Sequence, residues 1–169
     1  MKTVTKKYKV YTFDELSREA KDRAMQDWIE DDDLPFLQED MEYKVQELLK
    51  ENKIEGDISK VYYSLSHSQG DGAMFEGSFY WKGYSITVKQ SGHYYHYNSK
   101  TYDIYSVKTD KIASDAVYEE FEKIYLDICS KLEASGYAYI KYEDSEEAFK
   151  ESCECNEWTF LLSGVMMNS

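Results

Sequence analysis

Between Val61 and Val88 the chain alternates apolar and polar residues in three runs, a pattern that few backbones accommodate. Val61, Tyr63 and Leu65 alternate with Tyr62, Ser64 and Ser66; Phe75, Gly77, Phe79 and Trp81 alternate with Glu76, Ser78 and Tyr80; Ile86 and Val88 alternate with Ser85, Thr87 and Lys89. A strand points successive side chains to opposite faces, so this period of two gives each run one core face and one face of serine, threonine, tyrosine and lysine. Antiparallel sheets accept water on one side in this way, whereas parallel sheets are covered on both. Asp71-Gly72 and Lys82-Gly83 offer turn residues for the first two connections, and Asn98-Ser99-Lys100 for the third. The middle of the chain therefore reads as an antiparallel meander.

The flanks read as helices. A short strand at Tyr8-Lys9-Val10-Tyr11 precedes Thr12, which stands three residues before Glu15, the spacing of a capping box, so a helix is expected to start near Phe13. Leu16, Ala20, Ala24 and Trp28 recur every fourth residue, with Glu19, Asp22, Asp27 and Glu30 off that stripe. Asp31-Asp32-Asp33 ends it, and Pro35 suits the first turn of a second helix carrying Leu37, Met41, Val45, Leu48 and Leu49 on one side and stopping between Asn52 and Gly56. A third helix is expected from about Ser114 to Ser135, with Val117, Phe121, Ile124, Ile128 and Leu132 on one side and Gly136 as its terminator. Tyr137 to Tyr142 alternates like a strand among helical neighbours. A short helix from about Ser145 to Cys153 and a strand at Trp158–Leu162 complete the pattern. The fold class that follows is α+β: a meander sheet with acidic amphipathic helices packed on one face. With 169 residues, one proline and no low-complexity linker, residues 1–169 are expected to form a single domain.

The net charge of −13 is unevenly placed. Residues 1–11 carry +4; residues 12–57 carry 16 acids against 6 bases; residues 58–112 carry 6 bases against 4 acids; residues 113–169 carry 13 acids against 4 bases. The acid thus lies in the helical flanks. Such a surface repels nucleic acid, which argues against direct binding of DNA or RNA and for a basic protein partner. Asp31, Asp32 and Asp33 are the densest acidic run and the candidate partner-binding acids. No run of eighteen apolar residues exists, and the basic start at Met1–Lys7 has no apolar stretch behind it, so a soluble, cytoplasmic protein is expected with no membrane association.

Cys129, Cys153 and Cys155 cannot all pair within one chain and lack the second pair that a zinc site needs, so reduced thiols are expected. All three histidines fall within 67–96, in Ser66-His67-Ser68-Gln69-Gly70-Asp71-Gly72-Ala73 and Ser91-Gly92-His93-Tyr94-Tyr95-His96. Histidine is the side chain most easily tuned around neutral pH, which makes His67, Gln69, Asp71, His93, Tyr95 and His96 the candidate ligand- or partner-binding residues. A hairpin turn would account for Asp71 and the glycines but not for the histidine and amide before them. His93 and His96 are an odd number apart and in a regular strand would point to opposite faces, so no bound metal is expected, and no other cofactor. Ser66 and Ser68 flank His67, but neighbours in a strand point apart and do not make a nucleophile–base pair. A cross-strand pairing of Asp71 with His93 or His96, with Tyr95 as donor, is the best enzymatic arrangement, although no catalytic residue is assigned and a non-enzymatic role is favoured. The absence of a Gly-rich phosphate loop opening a helix counts against an NTPase or dinucleotide enzyme.

The stretch Tyr63-Ser64-Leu65-Ser66-His67-Ser68-Gln69-Gly70-Asp71-Gly72-Ala73-Met74-Phe75-Glu76-Gly77, followed by Ser91–His96 and preceded by Thr12-Phe13-Asp14-Glu15-Leu16-Ser17, resembles a group of small bacteriophage and prophage proteins across residues 8–110. Some members are labelled antitoxin-like, and the group has no settled activity. The resemblance implies a phage or mobile-element origin. By analogy with acidic anti-CRISPR and anti-restriction inhibitors, the leading expectation is a protein that binds and inhibits a host nucleic-acid-handling or defence protein through a basic cleft. One alternative is a nucleotide-type small-ligand protein or enzyme built on His67, Asp71, His93 and His96; another is an antitoxin-like partner of a toxin. Gln69–Ala73 and Ser91–His96 lying side by side in one pocket would favour the ligand, and two separated, exposed loops would favour the binder.

Overall fold

Four strands form in the order the alternation dictates: β1 (Glu55–Ser64), β2 (Gly72–Trp81), β3 (Tyr84–Gln90) and β4 (Lys100–Ser106), each antiparallel to the next. The computed structural model that reveals them describes residues 6–31, 34 and 36–167. Phe79, Ile86 and Ile104 stand opposite one another across three strands, and all are buried. Lys82 and Gly83 join β2 to β3 with φ of 48° and 85°, both left-handed, as a two-residue turn matched to strand twist requires. The first connection is longer than a tight turn: Gly72 already belongs to β2, and residues 65–71 form a loop. The third connection spans residues 91–99.

Two compact units divide the chain, one from Phe36–Tyr139 and one from its two ends, Met1–Pro35 with Ile140–Ser169. In the first, helices α2 (Leu37–Glu51) and α3 (Asp115–Glu143) supply the apolar cover for the inner sheet face. Leu37, Met41, Val45, Leu48 and Leu49 of α2 are all buried at helical spacing, and α2 stops at Asn52 as expected. From α3, Tyr125 packs on Phe75 at 4.7 Å while its hydroxyl donates to the Phe75 carbonyl at 2.8 Å and accepts from the Phe75 N–H at 3.3 Å. Phe121 meets Trp81 at 5.8 Å. Each such buried side chain contributes roughly 1.5–3 kcal/mol.

α3 overruns its expected end. It continues through Gly136 to Glu143, and Tyr137–Tyr142 is helical. Gly136 is a packing residue rather than a terminator: a β-carbon there would stand 2.5 Å from Leu65 Cδ1 and 3.0 Å from Met41 Sδ. The missing side chain lets α3 pass close to α2 and to the end of β1.

In the unit built from the chain ends, the expected helix start near Phe13 becomes a 3-10 turn, Phe13–Glu15. Glu15 does reach back to the Thr12 N–H at 2.8 Å, but Leu16 is extended and α1 (Arg18–Asp31) starts afresh, with Ser17 Oγ accepting from the Ala20 N–H at 3.3 Å. The break lets Phe13 and Leu16 both enter the core. α4 (Glu146–Cys155) is capped by Ser145, which accepts from the Ala148 N–H at 3.2 Å. The expected strands at Tyr8–Tyr11 and Trp158–Leu162 reduce to a bridge between Tyr11 and Phe160, with N–H···O bonds of 2.9 and 2.8 Å. Phe13, Phe149 and Phe160 make the centre of this core, Phe13 edge-on to Phe149 at 5.0 Å. Among the described residues no helix is long and apolar enough to cross a membrane.

Candidate functional site

The loop between β1 and β2 is folded around one carboxylate. Asp71 Oδ1 accepts from the hydroxyls of Ser64, Ser66 and Ser68, each at 3.0 Å. Its Oδ2 accepts from the N–H groups of Ser66 and Ser68 at 2.7 and 3.0 Å and from the Tyr137 hydroxyl at 2.6 Å. These bonds exceed the roughly four lone-pair sites of a carboxylate, so the group is fully engaged. The Tyr137 bond, followed by those from Ser68 and Ser66, holds the Asp71 carboxyl well below its ordinary 3.8. A carboxylate so held is a poor base at neutral pH.

His67 sits between the two serines with φ of 56°, a left-handed turn that lets both neighbours face the carboxylate. Its ring stacks on Tyr137 at 4.5 Å, 24° from parallel. Tyr137 therefore latches Asp71 and supports His67 at once, and the bond to Asp71 is the first cause of its raised phenol pKa. Reading the sequence missed this residue. It lies in the segment whose periodicity was ambiguous, and nothing local connects it to the loop.

The loop of residues 91–99 folds back over the outer sheet face. The Ser91 N–H donates to the Ser99 carbonyl at 2.8 Å, the Ser99 N–H to the His96 carbonyl at 2.8 Å, and the Asn98 N–H to His96 Nδ1 at 3.2 Å. An accepting Nδ1 leaves the proton of the neutral ring on Nε2. Glu76 anchors the loop's start, accepting from the Gln90 N–H at 3.2 Å and the Tyr62 hydroxyl at 3.1 Å, and Tyr95 stacks on Tyr62 at 5.4 Å. Met74, paired with Tyr62, is buried beneath this cover.

A glycine, Gly72, admits the second loop to the first. A β-carbon on Gly72 would stand 2.7 Å from His96 Cδ2, and one on Gly70 would meet the Tyr94 ring at 3.7 Å. Gln69–Ala73 and Ser91–His96 are thus side by side, and with Asn98 and Ser99 they border an open cleft of about 580 Å³. Gln69, Asp71 and His96 line it together with Tyr94. His67 and Tyr95 flank these segments on their aromatic supports, and His93 is exposed on the second loop. Asp71 bonds to neither His93 nor His96: its partners are three serines and Tyr137. Ser66 and Ser68 likewise serve the carboxylate, with their hydroxyls 2.7 Å apart.

Among the described residues no group of three His, Cys, Asp or Glu side chains could hold a metal ion. All three cysteines are free; Cys129 and Cys153 are buried, and burial pushes the Cys129 thiol up to about 12, far from a reactive thiolate. Asp31 closes α1, while Asp32, Asp33 and Pro35 lie outside the described residues. Comparison with protein-family models, curated proteins and solved structures gives no match to this chain.

Proposed function

We propose that this chain is a recognition protein rather than an enzyme: a phage-type acidic protein that binds and inhibits a host nucleic-acid-handling or defence protein. The observation that carries the reading is the engaged carboxylate of Asp71. That acid is committed to holding a loop and bonds to neither His93 nor His96, so the acid–histidine pair on which an acid–base mechanism here would rest is not formed. What that loop and its neighbour present is Gln69, His93, Tyr94 and the Tyr95 edge, all exposed. Tyrosine on a fixed loop offers large contact area at low entropic cost. The helical acids would supply long-range attraction to a basic cleft, raising the association rate more than the final affinity. An antitoxin-like role uses the same physics with a toxin as target.

The test is capture of host proteins on the immobilised chain, with and without competing duplex DNA, across ionic strength. Retention of a nucleic-acid-binding protein that DNA displaces and that weakens as salt shortens the reach of charge to about 8 Å supports the reading. Retention indifferent to both DNA and salt contradicts it.

The juxtaposition of the two loops favours a second reading, a small ligand in the cleft. Its amides, Gln69 and Asn98, the Ser99 hydroxyl and the Tyr94 ring suit a flat neutral group such as a nucleobase, and among the described residues no lysine or arginine lines the cleft to hold a phosphate. Ligand-observed NMR with free nucleosides separates the two readings: saturable transfer lost in Tyr94→Ala and Asn98→Ala supports the ligand.

A further inference from the structure

In the unit built from the chain ends, the segment after α4 turns back on α1 and leaves a groove walled by two indoles. Gly164, with φ of 88°, presses so closely on the Ala20 carbonyl that a β-carbon would collide with it. Bonds from the Leu161 N–H to the Val165 carbonyl at 2.8 Å and from the Gly164 N–H to the Leu161 carbonyl at 2.9 Å close that turn. On the α1 side, Ala24, Asp27 and Trp28 share a face at i, i+3 and i+4. Trp158 stands across from them, its ring 5.3 Å from that of Trp28 and 55° from parallel. Both indoles are half-buried, and Phe160 and Met166 complete the apolar lining of a space of about 490 Å³.

Among the described residues the polar side chains at this groove are Asp27 and Glu30, both exposed acids, and no cationic side chain lines it. Glu30 accepts from Gln26 Nε2 at 3.1 Å, and among the described residues neither acid is in an ion pair with a lysine or arginine. Packing against Phe149 explains why the tryptophans are anchored, Trp28 lying 5.7 Å from that ring. It does not account for the two half-buried indoles bordering a groove beside acid of one sign.

We propose that this groove is a socket for a guanidinium group, the side chain of an arginine presented by a basic partner. An indole is the best aromatic face for a cation, and a planar guanidinium stacks on it while directing N–H donors at carboxylates. An ammonium is more strongly hydrated and cannot stack, so arginine is favoured over lysine. The inference rests on the proposed role as a binder of basic proteins and adds a second contact point to it, on a different unit from the loops.

The experiment titrates the full chain with a capped Arg-Gly-Arg-Gly-Arg peptide and follows the indole N–H signals by NMR. The chain has three tryptophans, and Trp81, 2% exposed in the sheet, is the internal reference. Saturable shifts are expected for Trp28 and Trp158 and none for Trp81. The isosteric citrulline peptide, uncharged, is expected to bind at least about tenfold more weakly, as is the arginine peptide to an Asp27→Asn, Glu30→Gln double variant. Because both changes are at exposed positions, the variant should keep its native spectrum. Equal shifts with citrulline, unchanged binding to the double variant, or unmoved indoles up to about 10 mM peptide would overturn the socket. Host-protein capture reads the broader role separately: capture that persists with unmoved indoles removes the socket alone, and indole binding without DNA-sensitive capture removes the broader role alone.

Discussion

Six donors from four residues lie within hydrogen-bond distance of the Asp71 carboxylate, the Ser66 and Ser68 hydroxyls also bonding to each other, so truncating it removes acceptors while leaving every donor in place. Asp71→Ala is therefore expected to lower the melting temperature and release the loop of residues 65–71. The folded pKa lies below 3.8, so the carboxylate's contribution is present above that unfolded value and is lost as pH falls through the folded one. The gap in melting temperature between wild type and Asp71→Ala should be full near neutrality and close in strong acid. A gap independent of pH would show that charge plays no part. Tyr102 makes the opposite case: its hydroxyl is buried with no hydrogen-bond partner among the described residues, and burial is the first cause of its raised pKa. Tyr102→Phe removes an unsatisfied group at little cost in shape and is expected to stabilise by about 1 kcal/mol in denaturant melts. The histidine window was legible because its residue types are rare elsewhere in the chain, and Asp71 bonding its own turn was legible from turn chemistry. Tyr137, 66 positions away, had no local signal.

At the scale of elements, periodicity located what packing enforces and failed where two signals competed. The strands are held by their alternation, and Lys82-Gly83 by the need for two left-handed residues. The ends of α1 and α3 were misplaced for separate reasons. Thr12 and Ser17 both offer caps, and the core takes Phe13 and Leu16 only if the helix waits for the second. Gly136 carries the residue type of a helix stop but is used for close approach. Gly136→Ala tests that assignment. An exposed helix site would gain about 1 kcal/mol from this change, whereas overpacking against Leu65 and the fully buried Met41 costs about 1–3 kcal/mol. A net loss of about 1 kcal/mol is expected by urea denaturation, and a net gain would return Gly136 to a passive role. Because Leu65 opens the 65–71 loop, the variant should also perturb the amide signals of Ser66 and Ser68.

Across the whole molecule, charge is the feature that sequence gives without structure. A net −13 over 169 residues repels itself, and the ion pairs among the described residues are mostly exposed and individually weak. The melting temperature is expected to rise between low salt and about 0.15 M salt as self-repulsion is screened; a fall would mean that attractive pairs dominate. The same screening should weaken partner capture, so stability and binding are expected to move in opposite directions with salt. What composition could not convey is where recognition sits, because the meeting of two loops depends on Gly72 admitting His96 from a connection more than twenty positions on. The central claim is that these loops are a prebuilt recognition surface whose exposed side chains bind, the first of them held by the partly buried Asp71–Tyr137 latch. It is tested most directly by measuring, on one His93→Ala, Tyr94→Ala double variant, both the thermal melt and the affinity for the captured host protein. Affinity lower by at least about tenfold with a melting temperature within about 1 °C of wild type is the expected result. Unchanged affinity, or affinity and melting temperature falling together, would contradict it.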